Sequence, residues 1–94
     1  MQITKKVVFK AKPNCNEKMR ELLQAMVVPS KAEQGCVLYE IYQSKEDESM
    51  FTAIETWVDD EALLGHQTSE HYKVYKSSYE PFCEEKYTEI IEIL

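Results

Sequence analysis

Cys36 to Ser44 and Met50 to Val58 carry apolar residues on both faces of what the pattern predicts as two strands. They are joined through the polar tetrapeptide KEDE, and so short a connection makes an antiparallel hairpin. Val37, Tyr39 and Ile41 point one way in the first strand, while Cys36, Leu38 and Tyr42 point the other. In the second, Met50, Ile54 and Val58 oppose Phe51, Ala53 and Trp57. A half-buried hairpin would alternate cleanly between apolar and polar. This one needs cover on each side.

The flanking segments predict what supplies that cover. Ile3, Val7 and Phe9 alternate with polar positions from Gln2 to Ala11, which reads as a strand. Lys12-Pro13-Asn14 breaks it, and Asn14 as N-cap puts Glu17 at the third helical position, a capping box. Met19, Leu22, Leu23, Met26 and Val27 follow with the spacing of one helical face, and Pro29 ends or kinks the helix before Gly35. Asp59 and Asp60 cap a short helix through Leu64, which Gly65 weakens. Ser69 recaps a second run through Tyr72, Tyr75, Lys76 and Tyr79, and Pro81 stops it. Tyr87 to Leu94 alternates as a last strand. The order β-α-β-β-α-β predicts an α+β, ferredoxin-like sandwich with a four-stranded antiparallel sheet, residues 1–94 forming a single domain. Both helices lie on one face, so the second apolar face calls for a partner sheet. A homodimer through that open face would be a dimeric α/β barrel.

Charge and cysteine content narrow the function classes. A net charge of −6 without a basic stripe argues against nucleic acid. No apolar run approaches the ~18 residues that span a bilayer, and MQITKKVVFKAK does not read as a signal peptide, so a cytoplasmic protein away from membranes is expected. Cys15, Cys36 and Cys83 are odd in number and widely spaced, as reduced, packed thiols would be.

The segment from Gly35 to Tyr72 gathers the only two histidines, His66 and His71, and the only tryptophan, Trp57. The pieces PSKAEQGCVLYEIYQS, FTAIETWVD, His66 and SEHY together resemble the antibiotic biosynthesis monooxygenase family, and the likeness extends over nearly the whole chain. That resemblance implies a dimeric α/β barrel. Its activities range over cofactor-independent quinol and polyketide monooxygenases, an isomerase of a phosphorylated sugar, haem-degrading enzymes and members without assigned activity. The haem-degrading branch is disfavoured here: its asparagine near the end of the first strand, where this chain has VVFKAK, its tryptophan at position 66 and its histidine near position 76 are all missing.

Dioxygen is a triplet, so its direct reaction with closed-shell organics is spin-forbidden. No glycine-rich phosphate loop or compact ligand cluster is visible for a cofactor or metal. A deprotonated dihydroxyaromatic can instead reduce oxygen itself, given a base, a dry aromatic slot and groups that steady the anion. The expected ligand is a small aromatic or hydrophobic molecule. His66 first, then His71, are the candidate catalytic bases, since free imidazole titrates at ~6.5. Structural roles compete: a helix-end hydrogen bond for His66 and a surface position for His71. Five residues on a continuous helix set the two ~140° apart, so a shared metal requires the helix to break between them. Trp57 is a candidate pocket wall or a core tryptophan. Tyr39 and Tyr72 are candidate donors to an oxyanion, and Glu55, on the face of Trp57, a proton-exchanging group or the partner of a lysine. The alternatives are a non-catalytic dimeric barrel that binds a small ligand or serves in a stress response, and a proton-transfer isomerase. If His66 is the base, His66→Ala should stop turnover without changing melting.

Overall fold

The computed structural model describes residues 1–94. Its elements are β1 (Ile3–Ala11), α1 (Asn16–Gln24), α2 (Val27–Lys31), β2 (Cys36–Gln43), β3 (Met50–Trp57), α3 (Asp60–Gln67), α4 (Glu70–Ser78) and β4 (Cys83–Ile91), with one 3-10 turn at Glu80–Phe82. The strands pair antiparallel in the order β2-β3-β1-β4, which is the ferredoxin-like α+β sheet.

One sheet face carries the core. Val7, Phe9, Ala11, Phe51, Ala53, Trp57 and Tyr39 meet Met19, Leu23, Met26 and Tyr75 from the helices. Rows across this face follow from the register. Tyr39 stands opposite Glu55 and Glu55 opposite Lys5, while Phe51 stands opposite Phe9 and Phe9 opposite Lys86. The other face carries no helix. Val8 and Thr56 are already buried at its centre, Leu38 and Ile54 are half-buried, and Tyr42 and Tyr87 are exposed at its margins. A Lys6–Glu89 ion pair at 3.8 Å also lies on it, so its apolar character is confined to the middle.

Four local expectations give way to tertiary context. Asn14 does not cap α1: it takes a left-handed conformation (φ 67°), and Cys15 is the capping residue, with no side-chain bond. Pro29 does not end the first helix, which stops at Gln24. It sits in the first turns of α2, where a missing N–H is cheap. A bulge between Cys36 and Leu38 turns Cys36 to the core side and leaves Val37 exposed. The last strand starts at Cys83 rather than Tyr87, and this brings Lys86 onto the helix-covered face beside Phe9.

Two caps place the histidines. Asp59 Oδ1 accepts from the Ala62 N–H at 2.9 Å, and Ser69 Oγ from the Tyr72 N–H at 3.3 Å. The helix therefore breaks at Thr68-Ser69, and the phase between His66 and His71 is not that of one continuous helix. Gly35 fixes the approach of α3 to the sheet. Its φ is +90°, its carbonyl accepts from Val58 N–H at 2.9 Å, and a Cβ there would stand 2.6 Å from Ala62 Cβ.

Candidate active site

His66 projects from α3 into the core and is 1% exposed. Its ring stacks on the Trp57 indole with centroids 4.4 Å apart and planes tilted by 30°. Tyr72 and Tyr39 approach it at 5.2 and 5.7 Å. Nδ1 lies 2.6 Å from Oε2 of Glu33, which comes from the loop before β2. A carboxylate only accepts, so Nδ1–H is the donor, and in the neutral ring the lone pair lies on Nε2. Nε2 stands 3.8 Å from Glu55 Oε1, beyond hydrogen-bond range.

The same Glu33 oxygen accepts from His71 Nε2 at 2.8 Å, and Ser69 Oγ lies 3.2 Å from that nitrogen. Side-chain exposure rises along this line, from 1% at His66 to 17% at Glu33 and 22% at His71. Glu33 also borders an open cleft of about 520 Å³ whose lining includes Asp59, Glu61 and Gly65. A buried imidazole is thus joined to the surface through one carboxylate and a second imidazole. Such a line can carry a proton outward.

Glu55 does not pair with a lysine, although Lys5 faces it across the strands. Its Oε1 accepts from the Trp57 indole N–H at 2.9 Å, and no ammonium comes within 4 Å. Burial first, then the nearby Glu55 charge, push the phenols of Tyr39 and Tyr72 up from their usual range. Both therefore remain O–H donors at neutral pH and cannot serve as bases.

A cavity of about 30 Å³ lies between sheet and helices, lined by Tyr39, Glu55, His66, Tyr72, Tyr75 and Lys86 among others. Four of the six residues singled out in the sequence border it. Trp57 lies behind His66 and His71 beyond Glu33, and neither lines the cavity. Glu33, Lys5, Tyr75 and Lys86 were not anticipated. The volume suits a water molecule rather than an aromatic ring, so a ring enters only if side chains of the lining move outward.

The broken helix also meets the condition for a shared metal. His66 Nδ1, His71 Nε2 and a Glu33 oxygen lie within 4.8 Å of one another, a two-histidine, one-carboxylate set that a divalent ion could use. Metal bonds of ~2.0–2.2 Å would require the carboxylate to withdraw from its present contacts of 2.6 and 2.8 Å. The geometry as it stands is that of a hydrogen-bonded relay.

The family model described as antibiotic biosynthesis monooxygenase matches residues 3–77. The Mycobacterium tuberculosis protein named "Putative monooxygenase Rv0793" is 35% identical over 69 residues, 73% of this chain and 67% of its own. "Putative monooxygenase YcnE" of Bacillus subtilis is 29% identical over 65 residues, covering 69% of this chain and 68% of that protein. Among solved structures, PA3566 from Pseudomonas aeruginosa superposes with a TM-score of 0.94 at 32% identity, over 99% of this chain and 94% of that one.

Proposed function

Since the chain belongs to the antibiotic biosynthesis monooxygenase family, we propose that it is a cofactor-independent monooxygenase acting on a quinol or similar polyphenol, with His66 as base. The observation that carries this is a buried, cavity-lining imidazole whose Nδ1 is engaged by Glu33 and whose Nε2 is not hydrogen-bonded, 3.8 Å from the cavity-lining Glu55. His66 Nε2 takes a phenolic proton, and the resulting imidazolium is steadied by Glu33. Tyr39 and Tyr72 donate to the phenolate oxygen, and Trp57 holds the imidazole ring in place. The electron-rich anion gives one electron to dioxygen, and the two radicals combine at a ring carbon. The hydroperoxide then loses water, so that quinol plus O2 yields hydroxyquinone plus H2O. The proton held on His66 is the one that converts the peroxide anion to that hydroperoxide, which returns the imidazole to its free form.

The same reading places the protein in the cytoplasm as a homodimer, with the uncovered sheet face against a second copy. Three free thiols and the apolar centre at Val8 and Ile54 support those assignments. The test is oxygen consumption on a panel of chemically reduced quinols, followed with 18O2 in the presence and absence of a chelator. Saturable, chelator-insensitive uptake with one labelled oxygen in the product is expected. Uptake that yields only quinone and hydrogen peroxide, or that a chelator abolishes, would overturn the proposed chemistry. Proton exchange without oxygen uptake would mark an isomerase using the same relay.

A further inference from the structure

Three lysines gather near the cavity, two of them in its lining. Lys5 of β1 and Lys86 of β4 line it directly. The Lys86 ammonium lies 5.0 Å from the Tyr79 ring centroid and 5.9 Å from those of Phe9 and Tyr75. The Lys76 ammonium of α4 lies over the same Tyr79 ring, 5.9 Å from its centroid. Burial and then the charges of Lys76 and Lys5 hold the Lys86 amine below its ordinary range, so the three sense one another. No carboxylate oxygen comes within 4 Å of any of them, and the one lysine paired in that way is Lys6, on the opposite sheet face.

That arrangement is unusual for a chain of net charge −6, in which carboxylates outnumber ammonium groups. Aromatic faces attract these cations without neutralising them. Glu55 is the one carboxylate that lines the cavity with Lys5 and Lys86, and its charge acts on Lys86, so two ammonium groups meet one carboxylate around the space in which the proposed substrate must lie. We propose that Lys5 and Lys86 form an anion subsite, and that the substrate is an acidic aromatic whose carboxylate or phosphate seats there while its hydroxyl faces His66. This rests on the assignment of the cavity as the substrate site. It also reconciles an acidic protein with an anionic ligand, because a local field in a low-dielectric cavity outweighs distant surface charge.

The experiment is anaerobic calorimetric titration of the full chain with hydroquinone, 2,5-dihydroxybenzoate and 4-hydroxyphenyl phosphate, with the imidazole resonances of His66 followed by NMR. At least one acidic ligand should bind tenfold or more tightly than hydroquinone, and the gap should shrink as salt is raised. Whichever acid binds more tightly identifies the anionic group. Lys86→Met and Lys5→Met, which keep the apolar stems, should each reduce the acid-to-neutral affinity ratio at least fivefold. Lys6→Met, on the other face, should leave the ratio unchanged. Equal affinities with His66 shifted would overturn the subsite and leave the cavity assignment standing. Failure of all three ligands to bind or to shift His66 would overturn both.

Discussion

Removing either partner of the Glu33–His66 contact has a different cost. His66 is enclosed by Trp57, Tyr39 and Tyr72, so His66→Ala leaves a void and a carboxylate held by His71 alone. The unchanged melting expected from sequence does not survive that geometry: a loss of ~2–4 kcal/mol is expected together with loss of turnover. Glu33→Gln is the cleaner probe, because it keeps shape and a hydrogen-bonding oxygen while removing the charge. It should lower kcat roughly 10–100-fold with little change in KM and should shift the pH profile of kcat, measured by oxygen uptake. A purely structural role for Glu33 would leave that pH profile in place. Glu33 escaped notice in the sequence because nothing local marks it. It meets residues 33 and 38 positions further along the chain, and such a contact has no periodicity to betray it.

Secondary-structure elements were legible wherever a local signal set them. The hairpin, the Asp59 and Ser69 caps and the stop at Pro81 all follow from side-chain chemistry close in sequence. Asn14 and Pro29 misled because tolerated conformations, a left-handed residue and a helix's first turns, suit those same residue types. The start of β4 was missed because its polar Glu84-Glu85-Lys86 reads as loop, although an edge strand tolerates and even favours charge. The two glycines carry opposite predictions. Gly65 lies inside α3, where a Cβ would meet nothing within 4 Å, so Gly65→Ala should stabilise by ~0.5–1 kcal/mol. Gly35→Ala forces a strained φ and drives Ala62 away, at a cost of ~1–3 kcal/mol. It should also separate α3 from the loop before β2, visible as loss of the His66–Glu33 contact by NMR. Equal melting temperatures for the two variants would contradict this account.

The whole molecule has two unfinished surfaces, one apolar and one cationic. A charge at the centre of the bare sheet face should keep two copies apart, so Ile54→Glu is expected to shift sedimentation to the monomer while far-UV dichroism is retained. A wild-type monomer at micromolar concentration would refute the homodimer. The lysine cluster gives stability an alkaline dependence. The folded-state pKa of Lys86 is depressed, so its charged form costs stability at neutral pH. That cost diminishes as pH rises above the depressed value and is gone above the ordinary lysine value of ~10.4. Lys86→Met should therefore melt higher than wild type at pH 7, and the difference should narrow as pH is raised towards 10. A lower melting temperature for Lys86→Met at pH 7 would show that the ammonium is held favourably.

Because one Glu33 oxygen serves both imidazoles, three residues from three parts of the chain form a single heritable unit. A lineage that loses the carboxylate strands a buried imidazole, and one that loses His66 leaves a void beside Trp57 with Glu33 held by His71 alone. Descendants should therefore keep Glu33 and His66 together or replace them together, with His71, at the wetter end, the first of the three to vary.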